Sequence, residues 1–436
     1  MSDRILIVGG GFSGAMLAAR LAEAGTAVSL INRDDRFGLG VAYGAAEPWH
    51  LLNVRSARMS AVADRPDDFV RWLEAHAPGH ADPEGFAPRA VYGRYVQDRL
   101  AAARAAAADR LETLTGEVVG LDPAGAVTLA DGRRLSGRAV VLATGNPPPR
   151  TAAPGDTGSA AGVIPDAWAP GALDGIRPQD DILLVGTGLT MVDVLMTLER
   201  RGWIGRAVAV SRRGLRPRAH GPRPDPKLDA PLPDHPRLSQ RLAAARAAAG
   251  DGGWRSLMEL YRPVTADLWA TLDPEGQRRL LRHLRPWWDV HRHRLAPEVA
   301  ARIDALVAAD RLQILAGRIG RPRPAAGRLE LSWRPRGQTG EGRLVGDRLI
   351  DCSGPGHAPQ DDPLTGPLLA AGAARLHPNG LGLDLAPDGR ILAADGRPQP
   401  GLFVLGPPAR AAFWETIAVP DIRDRIAALA GTLAPH

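Results

Sequence analysis

The residues best suited to chemistry fall into three groups. The first is Gly9, Gly11 and Gly14, spaced as Gly-x-Gly-x-x-Gly, with Ser13 inside the motif. In such a motif the first glycine makes a tight turn, the second lets a pyrophosphate approach the backbone, and the third lets a helix pack close to a strand. The second group repeats the pattern at Gly186-Thr187-Gly188, with Met191 where a third glycine would stand. A bulky residue there implies looser helix packing, but the glycines that shape the turn and admit phosphate remain. It is followed by Ser211-Arg212-Arg213, two cationic forks and a hydroxyl where an adenosine ribose would lie and a carboxylate is usual. That exchange suits a 2′-phosphate and points to NADPH. The third group is Arg285, Trp287, Trp288, Asp289, His291, Arg292, His293 and Arg294. It reads either as a packed helical lid with arginines on tryptophan faces or as a site that closes over nicotinamide or an anionic substrate.

Strand, turn and helix must place the first two groups. Ile5-Leu6-Ile7-Val8 is a fully apolar strand, Ala15 to Glu23 has helical spacing, and a second strand over 27–31 ends at Asn32. An acidic residue at that point would normally hold the ribose hydroxyls, and an amide can hydrogen-bond them as well. Ile182 to Val185, the helix through Val192, Leu195 and Leu198, and a strand over 207–210 repeat the arrangement.

Between the motifs, Phe37 to Gly44 and Trp49 to Ser60 form a loop rich in glycine and small residues. It fits backbone lying against a flat ligand or an ordinary connection. Helices are expected over 67–77 and 93–110, the second an alanine- and arginine-rich surface helix. Strands are expected over 118–121, 127–129 and 139–142, the last leaving the sheet at Ala143-Thr144-Gly145 toward prolines. A proline-rich stretch over 215–236 precedes helices near 237–249, 254–271, 275–285 and 297–309, and strands return from 312.

Composition narrows the function classes. Of 54 basic residues only Lys227 is lysine, and the charge is +6. The arginines are scattered, without a basic tail or an aromatic and basic stripe, which argues against nucleic acid. No apolar run reaches a membrane span, and the first strand begins within a few residues of Met1, so a cytoplasmic protein with no membrane partner is expected. Cys352, the single cysteine, lies in an apolar strand and reads as core. There is no Cys-x-x-Cys pair, and two histidines two apart make a poor metal site, so no metal is expected. Redox chemistry would belong to a cofactor.

The order of these blocks resembles the two-dinucleotide-binding-domain flavoproteins. The segments Gly40-Val41-Ala42-Tyr43-Gly44, His50-Leu51-Leu52-Asn53-Val54, Met59-Ser60, Gly186 to Asp193, Ser211-Arg212-Arg213-Gly214 and Arg285 to His293 bring it closer to one group. That is the FAD/NAD(P)-binding family that includes a flavin-dependent urate hydroxylase and a nitrosuccinate-forming aspartate N-hydroxylase. The resemblance implies an α/β protein with two Rossmann-like dinucleotide-binding domains and a helical insertion. An FAD-binding domain would occupy 1–170 and an NADPH-binding domain 171–310, with the insertion near 225–310 and return segments over 311–436. FAD would use Gly9, Gly11, Ser13 and Gly14 for pyrophosphate and Asn32 for ribose. Val41, Ala42, Leu52, Asn53 and Ser60 would lie along the flavin, with Gly145 and Gly406 closing around it. NADPH would use Gly186, Thr187, Gly188, Ser211, Arg212 and Arg213.

The activity so implied is a FAD- and NADPH-dependent monooxygenase. It would hydroxylate a small polar or anionic metabolite, N-hydroxylation included, with dioxygen, through a flavin C4a-peroxide. His50 and Asn53 would hydrogen-bond the flavin edge or the peroxide, and Arg292 and His293 would clamp an anion. The alternatives are an NADPH-dependent flavin reductase or dehydrogenase without oxygen transfer, and a non-catalytic nucleotide-binding regulator. Substrate and oligomeric state are not legible in the chain.

Overall fold

The computed structural model describes residues 3–147, 149, 161–230, 235, 237–356 and 358–434. Its first sheet grows around Ile5–Val8, whose four side chains are all buried. Such a continuous apolar strand must be covered on both faces, as in a parallel sheet. Val28–Asn32 and Ala139–Leu142 flank it in parallel, and Leu111–Thr115 forms one edge. Pro398–Val404 and the antiparallel Arg390–Leu392 complete the other side. Helices Phe12–Glu23, Arg89–Ala106 and Val419–Leu433 cover one face. The other face meets a small antiparallel sheet, Val118–Leu121, Ala126–Leu129 and Arg134–Ser136, and apolar residues between 364 and 391. Each apolar side chain fully removed from water contributes roughly 1.5–3 kcal/mol, which makes these two layers the main stabilising term.

The second sheet repeats the plan. Ile182–Val185 lies between Ala207–Ser211 and Arg348–Asp351, all parallel. Leu312–Ala325 runs parallel to Ala207–Ser211 and then turns antiparallel against Arg328–Pro335, which pairs with Gly342–Gly346. The two-stretch α/β architecture expected from the motifs is therefore present.

Three expected boundaries change. Val163–Ile164 pairs with Leu349–Ile350, so the chain has entered the second sheet before residue 170. Pro297–Ala308 buries Ala300, Ile303 and Leu306 in the second core, making it the crossover helix into Leu312–Ala325. The helical insertion proper ends with Arg285–Arg292. The return segments also divide: strands up to Asp351 finish the second sheet, and residues from 364 onward rejoin the first domain.

Local differences have local causes. The helix Arg89–Ala106 begins four residues before the expected start and is no surface helix, because Val91, Tyr92, Tyr95, Val96, Leu100 and Ala103 face the core. The stretch expected as one helix from 254 to 271 breaks at Arg262-Pro263 into Trp254–Tyr261 and Thr265–Ala270. A proline there removes a backbone donor and clashes with the preceding turn. Pro274–Arg279 widens into a π-type turn over Leu280–Leu284 before Arg285–Arg292.

Candidate functional site

The first motif folds as its spacing requires. Gly9 has φ +109°, and a Cβ there would lie 2.3 Å from the carbonyl oxygen of Ala143. A Cβ on Gly14 would lie 1.9 Å from the Gly9 oxygen, so helix Phe12–Glu23 can sit this close only with glycine at 14. Gly11 caps that helix, and no side chain accepts from its first N–H groups. These donors and the positive end of the helix dipole form a ready anion site. A Cβ at Gly11 would meet only the backbone of Gly40, at 3.4 Å from its Cα and 3.8 Å from its N, so substitution would fill the space above those donors. Gly406, with φ +77°, presses on Ser13, where a Cβ would come within 2.6 Å of the hydroxyl oxygen. Gly145 also has a positive φ and follows the strand that ends beside Gly9.

The groove beside this turn fits FAD. Val41 and Ala42, on the short helix Gly40–Gly44, are exposed apolar residues next to Gly11, Val41 at 51 %. Leu52 is buried, and Asn53 is half-buried with its carbonyl oxygen 3.0 Å from His220 Nε2. Asn32 is tied into the turn: its Oδ1 accepts from Gly10 N at 3.0 Å and its Nδ2 donates to the Asp34 carbonyl and carboxylate. The amide thus braces the pyrophosphate loop with both N–H groups engaged, and its oxygen keeps one lone pair that a ribose hydroxyl could use. Ser60 is fully buried, and its hydroxyl closes a turn with Val62 N, Val62 O and Arg65 O.

The second motif is built the same way. Gly186 has φ +108°, with a would-be Cβ 2.3 Å from the Cys352 carbonyl oxygen, mirroring Gly9 against Ala143. Gly188 caps Leu189–Arg200 without a side-chain cap, and a Cβ on it would meet nothing within 4 Å. Met191 is fully buried in the core. Thr187 Oγ1 lies 2.9 Å from Ser211 Oγ, which accepts from Gly214 N. Arg212 is exposed with no partner among the described residues, whereas Arg213 donates to the Arg282 and His283 carbonyls at 3.4 Å. Arg212 is therefore the guanidinium best placed for a phosphate. Cys352 is buried, and burial pushes its thiol well above the ordinary range, consistent with a core residue.

The two motifs meet along the helix Leu189–Arg200. Segment 47–53 of the first domain lies on it, and the two leave a shallow cleft with room for about one water, whose walls include Trp49, His50, Leu52, Asn53, Leu189 and Val192. His50 belongs to this seam. It is 4 % exposed, Nδ1 accepts from Glu47 N at 3.2 Å, and Nε2 faces Thr197 Oγ1 at 2.9 Å and Asp193 O at 3.2 Å. Burial lowers its pKa, with Asp193 opposing. An imidazole with both nitrogens engaged joins the two domains at the edge of this cleft.

In the lid, Arg292 is 3 % exposed, with Nη2 3.0 Å from Asp421 and Nε 3.9 Å from Glu415. His293 Nε2 lies 3.8 Å from the same Glu415 oxygen, and burial lowers its pKa. Burial alone would raise Glu415, but the surrounding cations and the Trp288 indole, donating at 2.7 Å, hold it low. The Trp269 indole donates to the Ala411 carbonyl at 3.0 Å and its ring stacks on Trp414. Arg292 therefore fastens the insertion to Asp421, beside the closing Gly406 turn, while Arg292 Nε, His293 Nε2 and Glu415 Oε2 are buried together without hydrogen-bond partners among the described residues.

Sequence reasoning missed Arg89 and Asp421, and grouped Arg294 with the lid without its partners. Arg294 is fully buried and bridges Asp225 at 2.6 Å and Glu259 at 2.7 Å. Among the described residues, no group of three histidine, cysteine or acidic side chains could hold a metal, and no helix is long and apolar enough to cross a membrane.

Fold and site together define a protein with two Rossmann-like dinucleotide-binding domains. Residues 6–147 match a family model described as FAD-NAD(P)-binding. Solved structures resemble the whole chain. An ornithine hydroxylase from Pseudomonas aeruginosa aligns with a TM-score of 0.67 at 17 % identity, covering 100 % of this chain and 99 % of its own. An L-lysine 6-monooxygenase from Pseudomonas syringae gives 0.68 at 15 % identity, with 99 % of both chains covered. An FAD-bound cadaverine monooxygenase from Erwinia amylovora gives 0.67 at 13 % identity, covering 99 % of this chain and 94 % of its own.

Proposed function

We propose that this protein is a FAD- and NADPH-dependent monooxygenase that hydroxylates a small polar or anionic metabolite, with an amine nitrogen as the favoured acceptor of oxygen. The observation that carries the reading is a pair of glycine turns whose helices no side chain caps, in two domains joined where segment 47–53 and Arg89 meet the helix after Gly188, with no thiol pair to relay electrons elsewhere. Neighbours of the same fold that hydroxylate ornithine, lysine and cadaverine support the choice of an amine.

FAD, when bound, supplies the two-electron store that receives hydride from NADPH and the centre at which dioxygen is reduced. The chain's work is positional. The N–H groups after Gly11 and Gly188 would hold the two pyrophosphates, and Val41, Ala42, Leu52 and Asn53 would back the flavin. Arg212 would take the 2′-phosphate. The insertion, pinned by Trp269, Trp288 and Arg292, keeps bulk water from the segment after Gly406. Screening amines and acidic metabolites for stimulation of NADPH oxidation by the FAD-loaded protein tests the reading. Stimulation with a hydroxylated product supports it; stoichiometric reduction of an electron acceptor without such a product favours the reductase.

A further inference from the structure

The helix Leu189–Arg200 carries a polar stripe that faces the first domain. Asp193 and Thr197, with Arg201 one residue past the helix end, stand four residues apart, the spacing that puts side chains on one helical face. Each is met by the segment that precedes or follows the flavin loop. Arg89 donates through Nη1 and Nη2 to the two oxygens of Asp193 at 2.8 and 3.1 Å, while its Nε donates to the Leu51 carbonyl at 3.0 Å. Thr197 meets His50 at 2.9 Å and the Trp49 indole at 3.4 Å, and Arg201 pairs with Glu47 at 2.8 Å.

We infer that the Arg89–Asp193 pair, with the stripe behind it, is a positioning device that sets the nucleotide helix in fixed register against the flavin loop for hydride transfer. The argument is geometric. One planar guanidinium holds the backbone of residue 51, next to Leu52 and Asn53 on the flavin side, and a side chain five residues past Gly188 on the NADPH side. Both partners are largely buried, with side chains 16 % and 10 % exposed. A bidentate fork fixes orientation as well as distance, which a single point charge does not. Hydride transfer is steep in such placement, since a shift of about 1 Å can cost on the order of a hundredfold. Neither residue reaches a phosphate-binding glycine, so the pair acts through the helix and the loop it holds. The role rests on the two-cofactor reading above.

The test measures flavin reduction by saturating NADPH in stopped flow, together with amide hydrogen exchange, on the FAD-loaded protein. Arg89→Met and Asp193→Asn should each slow reduction about tenfold or more at saturation. The NADPH concentration for half-saturation should change little, Arg89→Lys should lie between wild type and Arg89→Met, and the double variant should be no slower than the worse single one. Exchange should rise in segments 47–53 and 189–200, with or without FAD, and not in the rest of the two sheets. Thr197→Val, which removes only a hydroxyl from the stripe, should show the same exchange pattern more weakly and stands in if the charged variants fail to fold. Reduction within twofold of wild type in folded variants, or additive effects in the double variant, overturns the positioning role alone. Wild-type protein that binds FAD but is not reduced by NADPH overturns the proposed function, and the positioning role with it.

Discussion

His220 Nε2 donates to the carbonyl of Asn53 at 3.0 Å, so the irregular segment after the second motif reaches back and holds the flavin loop of the first domain. Arg55 adds a second tie, its Nη2 donating to the Gly221 carbonyl at 2.7 Å. Burial, and then the nearby charge of Arg294, depress the pKa of His220 to about 3. A free histidine titrates near 6.5. Below that value the unfolded chain takes up a proton that the native protein refuses, so stability is full above about pH 6.5, falls as pH drops, and has lost this contribution by about pH 3. The slope is about 1.4 kcal/mol per pH unit for each such histidine. Denaturant unfolding from pH 7 to 4 should show it, and His220→Gln should flatten it; an unchanged slope in the variant would contradict the assignment.

Gly11→Val should abolish FAD retention while leaving the fold intact, because the added side chain occupies the space over the uncapped helix donors without striking more than the Gly40 backbone. Flavin absorbance of the purified variant against its circular dichroism checks this. Stoichiometric FAD in the variant would refute the site.

Arg212→Ala should raise the KM for NADPH by about tenfold and leave that for NADH nearly unchanged, since only NADPH presents the phosphate. Arg213→Ala should have the smaller effect, because its guanidinium already serves the Arg282 and His283 carbonyls. Equal losses with both nucleotides would refute the assignment.

Arg294→Leu should destabilise the protein by about 3–5 kcal/mol, because it removes a fully buried guanidinium and leaves the partly buried Asp225 without its ion pair, although Glu259 keeps Arg58 and Arg262. Thermal unfolding measures it, and a variant within about 1 kcal/mol of wild type would contradict the burial argument.

The motifs were legible because their information is local. Four apolar residues and glycines at fixed spacing dictate strand, turn and helix, and the prolines at 274 and 297 mark where helices begin. What was illegible depends on distant partners. Arg89 and Asp193 stand 104 positions apart, and in a chain so rich in arginine nothing marks Arg89 among its neighbours. His50 and Ser60 looked like ligand contacts because polar residues in a glycine-rich loop suggest a site. Their hydroxyl and imidazole groups satisfy buried backbone, a demand that only the folded path of the chain reveals. Val163–Ile164 fell on the wrong side of the domain boundary because a two-residue strand has no pattern of its own.

The central claim is transfer of oxygen to a substrate, and labelled dioxygen measures it most directly. The FAD-loaded protein would be supplied with NADPH and a metabolite that stimulates its oxidation, under ¹⁸O₂. The account predicts one labelled oxygen atom in the product for each NADPH consumed in coupled turnover. An unlabelled product, with electrons delivered stoichiometrically to another acceptor, would contradict it and make the protein a reductase.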